Sequence, residues 1–170
     1  MDSLFIWSNW GVAPEIACAG KETTFKFWED VLSEVIDLFP GEYIHIGGDE
    51  APRDEWKVCE HCQKRIKENG LQNEAELQSY VNNRIEKFLN SHGRKMIGWD
   101  EILEGGVSKS ATIMSWRGAD GGIAAAKKGN YAIMPPNSHC YFDYYQTTDR
   151  KDELEGIGGY VPLRKAYSFD

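Results

Sequence analysis

Four short apolar segments, separated by helical patterns, constrain most strongly what this chain can fold into. The segments are rich in β-branched and aromatic residues and lie at residues 43–46, 95–99, 112–116 and 131–134. Helical patterns occupy residues 22–39, 54–69, 74–92 and 122–128. Because parallel strands need a crossover between them, this alternation predicts a parallel α/β sheet.

Functional-looking residues gather just after the carboxyl end of each predicted strand. They include Asp49 and Glu50, Asp100 and Glu101, Arg117, and the aromatic residues 141–145. A (β/α) barrel builds its active site from these loops, so the pattern predicts a barrel-type sheet. A doubly wound open sheet is the alternative, but residues 118–122, GADGG, do not form a GxGxxG phosphate loop after a strand.

The turn after the first predicted strand carries two adjacent carboxylates. Two glycines, residues 47–48, end the strand and permit a sharp turn or the close approach of a ligand. Pro52 lacks an N–H and disfavours helical geometry in the residue before it. Asp49 and Glu50 are therefore predicted to lie outside any helix, although a short acidic motif of this kind also serves as an ordinary turn or helix cap.

Charge and hydropathy exclude some classes of partner. The 170 residues contain 27 acids and 19 bases, a formal net charge of −8, which argues against binding to nucleic acid. No apolar run is long enough to span a bilayer, and no amino-terminal signal pattern is present. A mature chain or an internal piece of a longer one would look the same, so the localisation stays open.

The four cysteines leave several interpretations open. Cys59 and Cys62 form a CxxC, but a zinc site needs about four ligands, usually from a second pair. The adjacent His139 and Cys140 are the only further ligands that the sequence suggests. We therefore predict no metal site and interpret Cys59 and Cys62 as small buried residues, with a zinc or redox module as the alternative.

Four short motifs occur in order along the chain, each at the end of a predicted strand. They are HIGGDE at residues 45–50, GWDE at 98–101, SWRG at 115–118 and YFDYYQ at 141–146. Together they resemble the catalytic domain of glycoside hydrolase family 20, the β-N-acetylhexosaminidases. The resemblance implies a (β/α)8 fold of TIM-barrel type. Only about the fourth to seventh β/α units are expected here, so that residues 1–170 form one partial catalytic barrel domain of a longer parent chain.

The resemblance also implies an activity. Such enzymes hydrolyse terminal, non-reducing N-acetylhexosamine residues from β-N-acetylhexosaminides by a substrate-assisted, retaining mechanism. The implied partners are β-linked N-acetylglucosamine and N-acetylgalactosamine glycans, and no cofactor or metal is expected. The parent enzyme would be periplasmic, secreted or lysosome-like. The alternative function is a catalytically incomplete segment that binds carbohydrate or serves a structural role.

By resemblance, the two adjacent acids have different catalytic roles. Glu50 is the general acid that protonates the glycosidic oxygen and later activates water. Asp49 holds the acetamide N–H and stabilises the positive charge of the oxazolinium intermediate. Neighbouring carboxylates are poorly placed to straddle a glycosidic bond, as the usual two-carboxylate mechanisms require, and this fits the substrate-assisted variant.

The same resemblance assigns four substrate-binding residues. Trp99 and Trp116 form walls of the pocket for the acetamido methyl group, with core packing as the alternative for each. Tyr141 donates its O–H to the acetamide oxygen, and Asp143 accepts hydrogen bonds from ring hydroxyls. These last two residues are two positions apart, so an extended segment would point both side chains to the same side.

Two further residues are candidates for supporting roles. His45 alternates with apolar neighbours, and one interpretation is an interior histidine that orients Asp49 or Glu50. Glu101 lies next to the GWDE tryptophan, where it either supports the site or simply braces its loop. A half barrel would also leave two sheet edges and an apolar inner face open, which predicts self-association of the chain.

Overall fold

The computed structural model describes residue 8 and residues 11–151, 153–156 and 158–169. Helices and strands follow one another as α1 Glu22–Leu38, β1 Tyr43–His45, α2 Asp54–Val58, α3 Glu60–Glu68, α4 Glu74–Ser91, β2 Lys95–Trp99, β3 Thr112–Met114, α5 Asp120–Lys128, β4 Tyr131–Ile133, α6 Asn137–Cys140 and α7 Leu163–Ala166. A 3-10 turn, Asp100–Leu103, directly follows β2. All four predicted strands are present, within two residues of their expected bounds.

The four strands form one parallel sheet in the order β1-β2-β3-β4. Ile44 pairs with Met96, and Gly98 pairs with Ile113. Each strand therefore lies beside the strand that precedes or follows it in the sequence, as in a (β/α) barrel. In a doubly wound sheet, by contrast, the strand order changes direction at one point within the sheet. The predicted partial (β/α) barrel is confirmed, and the open-sheet alternative is not.

The described helices cover one face of the sheet. Ile44, Met96 and Ile113 point to this face and are buried with Leu89 of α4 and Ala125 of α5. Residues at alternate positions point to the opposite face, since side chains alternate along a strand. That second face is open, and Tyr131 there is 79% exposed.

The long helices α1 and α4 bury one side and expose charge on the other. Phe25 of α1 is buried, and the guanidinium of Arg84 on α4 lies 4.1 Å from its ring centroid. Arg84 also pairs with Glu22 and Glu29 of α1, which joins the two helices. No helix within the described ranges is both long and apolar enough to cross a membrane.

The prediction of a single helix over residues 54–69 is wrong. The chain becomes extended at Cys59, with φ −80° and ψ 112°, and this residue separates α2 from α3. The side-chain amide of Gln63 donates to the carbonyl oxygen of Trp56 at 2.9 Å, satisfying a group that the break leaves free. Trp56 of α2 and Ile66 of α3 are buried in the same hydrophobic cluster. The spacing of apolar residues along 54–69 is therefore like that of one continuous helix and does not show the break.

Candidate active site

The loops at the carboxyl ends of the strands meet at one edge of the sheet. All strand pairs are parallel, so the segments that follow β1, β2, β3 and β4 leave the sheet on the same side. The four motif segments that the sequence singles out therefore lie together, at the position where (β/α) barrels carry their sites.

The acidic turn after β1 is anchored to its neighbours through its backbone. The carbonyl oxygen of Gly47 accepts the N–H of Trp99 at 2.9 Å, and that of Gly48 accepts the side-chain amide of Gln78 at 2.9 Å. Glu50 has φ +39°, and it is the one non-glycine residue with positive φ in the described part of the chain. Such a conformation costs roughly 1–2 kcal/mol, and it is found preferentially at functional sites.

Two glycines of the motifs pack around a single buried side chain. A Cβ on Gly48 would lie 2.4 Å from Cγ2 of Ile102, and one on Gly98 would lie 2.8 Å from its Cδ1. Gly48 also has φ +94°, which side chains rarely adopt. The glycines thus allow the acidic turn and β2 to close tightly over Ile102.

The two acids of this turn face different cavities. Glu50 is exposed and lines an open cavity of about 330 Å³ together with Glu101 and Arg117. Asp49 is half-buried and lines a second cavity, of about 400 Å³, beside His45. Across the described residues, no basic side chain forms an ion pair with either carboxylate. Both acids are therefore accessible to a ligand.

His45 is not the interior residue that its apolar neighbours suggest. It lies on the open face of the sheet and is exposed, because the described helices cover the other face. Its Nδ1 accepts the backbone N–H of Gly47 at 3.0 Å, and its ring meets Trp99 edge-on at 4.9 Å. Partial burial lowers the pKa of His45, and the nearby charge of Asp49 opposes that shift. His45 thus contacts the backbone of the acidic turn; its supporting role stays a prediction.

The acids after β2 are held by partners within the protein. Asp100 is only 3% exposed, and its Oδ2 accepts Nε of Arg117 at 3.2 Å. Glu101 accepts the indole N–H of Trp116 at 3.0 Å and lies 3.6 Å from Arg117. Burial raises the pKa of the Glu101 carboxyl, and the contacts with Trp116 and Arg117 only partly offset this. The sequence places Arg117 after a strand end, in the SWRG motif, but its pairing with these acids was not predicted.

Aromatic residues form a wall beside Glu101. The rings of Trp116 and Tyr141 stack at 6.0 Å with an interplanar angle of 10°, and Tyr144 meets Tyr141 edge-on at 5.5 Å. Burial raises the pKa of the Tyr141 phenol, and Tyr144, Asp143 and Asp49 raise it further through their charges. The structure therefore brings Trp116 and Tyr141 into contact, and it places Tyr141 within electrostatic reach of both aspartates.

Tyr141 and Asp143 do not lie on an extended segment, and that prediction is wrong. The N–H of Tyr144 bonds to the carbonyl oxygen of Tyr141 at 3.2 Å and closes a turn over the intervening residues. The short helix α6 ends immediately before this turn. Asp143 is consequently exposed at the turn, and side-chain alternation does not relate it to Tyr141.

The cysteines are arranged differently from the sequence-based expectation. Cys18 joins the CxxC, with its Sγ 3.5 Å from that of Cys59 and 3.7 Å from that of Cys62. Cys140, which the sequence suggested as a further ligand, lies on α6 instead. Because Cys18 and Cys59 are 41 positions apart in the sequence, no local spacing could have indicated this contact.

Comparisons with known proteins agree on one family. The sequence profile of the glycosyl hydrolase family 20 catalytic domain matches residues 2–170. A β-hexosaminidase of Porphyromonas gingivalis is 55% identical over 162 residues, which cover 95% of this chain and 21% of that protein. A β-hexosaminidase of Vibrio furnissii is 37% identical over 150 residues, 86% of this chain and 24% of the relative. The chain thus spans about a fifth to a quarter of the length of these curated relatives.

A solved structure shows the same arrangement. The family 20 exo-β-N-acetylglucosaminidase of Vibrio harveyi, in complex with N-acetylglucosamine, superposes with a TM-score of 0.79. It is 30% identical in sequence, and the match covers 91% of this chain and 24% of that one. The described fold is therefore shared by part of an enzyme of this family.

Proposed function

The chain belongs to glycosyl hydrolase family 20, and on that basis we propose that it supplies the acid-bearing part of a β-N-acetylhexosaminidase active site. The proposed reaction removes terminal, non-reducing N-acetylhexosamine from β-linked glycans. The observation that carries the proposal is the edge of the sheet where Asp49 and Glu50 line cavities and form no ion pair with a described basic side chain, with Asp49 close enough to Tyr141 to raise the pKa of its phenol. Because the chain spans only part of each relative, the activity is proposed for the complete enzyme.

Glu50 is the proposed general acid. In the first step it gives its proton to the glycosidic oxygen while the substrate's acetamide oxygen attacks the anomeric carbon. The glycosidic bond breaks, the aglycone leaves as an alcohol, and a cyclic oxazolinium ion remains. The Glu50 carboxylate then removes a proton from water, and this water attacks the same carbon and restores the acetamide. Two inversions at one centre give overall retention.

Asp49 is the proposed partner of the acetamide group. Its carboxylate accepts the acetamide N–H and stabilises the positive charge that develops in the oxazolinium ion. This proposal is supported by the lack of a basic partner among the described residues and by its effect on the pKa of Tyr141. The phenol of Tyr141, held against Trp116, would donate to the acetamide oxygen.

Aromatic and polar side chains around the acids would bind the sugar. Trp99 and Trp116 are proposed as walls for the acetamido methyl group, and the hydrogen bond from Trp116 to Glu101 supports a fixed orientation of its ring. Asp143 is exposed at its turn and would accept hydrogen bonds from ring hydroxyls. Each step of the proposed chemistry uses only these side chains, water and the substrate.

Hydrolysis of a chromogenic β-N-acetylglucosaminide tests the proposal. We expect Glu50→Gln to lower kcat by about 10²–10⁴-fold, the usual contribution of general acid–base catalysis. Glu55→Gln is the matched control, since Glu55 is likewise an exposed acid and lies on α2 outside both cavities. Equal activity of the two variants would refute the role of Glu50. Binding of N-acetylglucosamine without turnover by the unsubstituted protein would instead support the carbohydrate-binding alternative.

The open face of the half barrel supports a proposal of self-association. β1 and β4 each pair on one side only in the described sheet, and Tyr131 and Ile133 of β4 are exposed on the open face. Unpaired strand edges and exposed apolar side chains favour pairing with another copy. Light scattering is expected to give a mass that rises above one chain with concentration, and a constant monomer mass would contradict this.

A further inference from the structure

Three cysteine side chains from separate parts of the chain meet beside the core formed by α1, α2 and α3. Cys18 lies in the loop before α1, Cys59 lies at the break between α2 and α3, and Cys62 lies in the first turn of α3. Their three sulfur atoms all lie within 4.8 Å of one another. Cys62 is fully buried, whereas the other two cysteines are partly exposed.

The position of Cys18 is fixed by contacts that do not involve its thiol. The carbonyl oxygen of Ala17 accepts the indole N–H of Trp56 at 3.0 Å, and that of Gly20 accepts Nη2 of Arg65 at 2.9 Å. A Cβ on Gly20 would lie 2.1 Å from the carbonyl carbon of His61, so only glycine lets this loop pack directly on the CxxC backbone. The loop is therefore built to hold Cys18 against Cys59 and Cys62.

We propose that Cys18, Cys59 and Cys62 together bind one Zn²⁺ ion. Zinc is held by thiolates at about 2.3 Å in tetrahedral geometry, which places the sulfur atoms roughly 3.8 Å apart. The observed separations of 3.5 and 3.7 Å lie close to this value. A disulfide needs a bond of about 2.05 Å and uses only two sulfurs, so it would leave the third member of the cluster without a role.

The fourth coordination position would be open to solvent. Cys18 and Cys59 are partly exposed, and water or an external thiol can complete the tetrahedron at that side. As the ion binds, the three thiols release their protons to the solvent and coordinate as thiolates. Soft sulfur ligands favour zinc over magnesium or calcium, which prefer oxygen.

The ion would join the loop before α1 to the start of α3 and thereby fix one side of the candidate active site. Ala17 and Trp56, which lie close to Cys18 and Cys59 in sequence, line the same cavity as Asp49. A bound zinc ion would restrain this wall and would stabilise the folded chain, because the site does not exist in the unfolded state.

Metal analysis of the purified protein tests the proposal. After incubation with Zn²⁺ under reducing conditions and desalting, we expect one zinc per chain by inductively coupled plasma mass spectrometry. Cys18→Ser is expected to lose this zinc, and Cys140→Ser, the matched control on α6, is expected to retain it. No zinc in the unsubstituted protein, or equal zinc in the two variants, would overturn the proposal.

A second measurement needs no variant and so does not depend on a substituted chain folding. Alkylation followed by mass spectrometry reports which thiols are protected. With Zn²⁺ present, Cys18, Cys59 and Cys62 are expected to react at least about tenfold more slowly, and Cys140 is expected to be unaffected. Unchanged reactivity of the three thiols contradicts the proposal, as does a disulfide between Cys18 and Cys59 in the zinc-treated protein.

Discussion

Two pairs of adjacent acids follow neighbouring strands, yet the structure treats them differently. Asp49 and Glu50 follow β1 and are reached from open cavities, with no basic partner among the described residues. Asp100 and Glu101 follow β2 and are bound to Arg117 and Trp116. The same Asp-Glu pattern at a strand end therefore gives one accessible pair and one internally bound pair.

The comparison separates acids that are available for chemistry from acids that maintain the site. A carboxylate already bound by a guanidinium or an indole must lose that partner before it can bind substrate. Glu50, in contrast, needs only to exchange water for substrate, and its backbone sits at a strained φ of +39°. Substitution of these acids and of their partners tests this contrast.

After Glu50→Gln, the largest effect is expected from Asp49→Asn. Loss of the negative charge that is proposed to lie beside the acetamide should lower kcat by about 10²–10³-fold, as removal of one charge-stabilising group does in other enzymes. The free energy of unfolding should change by less than about 0.5 kcal/mol, since no protein partner is lost. Asp37→Asn, an exposed acid on α1, is the control. A lower free energy of unfolding with unaltered kcat would contradict this, and would mean that Asp49 maintains the structure as Asp100 does.

Arg117→Met should instead act mainly on stability. It leaves the nearly buried carboxylate of Asp100 without its partner, and Oδ1 of that residue already lacks one. Because Arg117 is itself partly exposed and screened, we expect the free energy of unfolding to fall by about 1–2 kcal/mol. Urea denaturation measures this, with Arg164→Met on α7 as the exposed control. Equal stability of both variants would mean that Asp100 is not held by this pair.

Trp116→Phe should affect substrate binding more than the chemical step. Phenylalanine keeps an aromatic face against Tyr141 but cannot donate a hydrogen bond to Glu101. Loss of one such bond is worth about 1 kcal/mol, so KM should rise roughly fivefold with kcat little changed. Trp56→Phe removes a comparable indole hydrogen bond, to Ala17, and its loss is expected to appear as a lower free energy of unfolding. A fall in kcat with an unchanged KM would contradict the proposed role of Trp116 as a wall of the substrate pocket.

The smallest effect concerns Glu104, which lies beyond the second acid pair. Hydrogen bonds from Arg53 and Arg117 outweigh burial and hold the pKa of its carboxyl below the ordinary value of 4.5. A carboxyl with a lowered folded pKa stabilises the protein above its ordinary pKa, and this contribution is lost as the pH falls through the lowered value.

Unfolding measured between neutral pH and about pH 3 checks this prediction for Glu104. The unsubstituted protein should lose more stability than Glu104→Gln over this interval, by less than about 1 kcal/mol because the pair is partly exposed. Glu55→Gln should follow the unsubstituted protein. A steeper loss of stability in Glu104→Gln would contradict the lowered pKa of the Glu104 carboxyl.

The sequence was informative wherever a feature depended on neighbouring residues. Strand ends, the glycine turn and the ends of the long helices α1 and α4 follow from local spacing, and parallel pairing follows from the alternation of elements. The acidic turn lies outside a helix, as Pro52 predicts. The position of the motif residues at one sheet edge could consequently be predicted without knowing their side-chain contacts.

Features that depend on distant parts of the chain could not be predicted. The extended residue Cys59 lies within a stretch whose apolar residues keep helical spacing throughout. Its contact with Cys18 joins residues that are 41 positions apart in the sequence. His45 is exposed because none of the described helices covers its face of the sheet, which its own neighbours cannot reveal. The bond between Trp116 and Glu101 likewise joins two strand ends, so the sequence could not show that the second acid pair is bound.

Comparing Glu50→Gln with Glu101→Gln on the same chromogenic substrate tests the central claim most directly. Each variant removes one carboxylate charge from the same cavity, and unfolding midpoints establish that both remain folded. We predict that Glu50→Gln lowers kcat by at least about 10²-fold, whereas Glu101→Gln keeps kcat within about tenfold of the unsubstituted protein. Equal losses, or a larger loss for Glu101→Gln, would contradict the assignment of catalysis to the accessible pair.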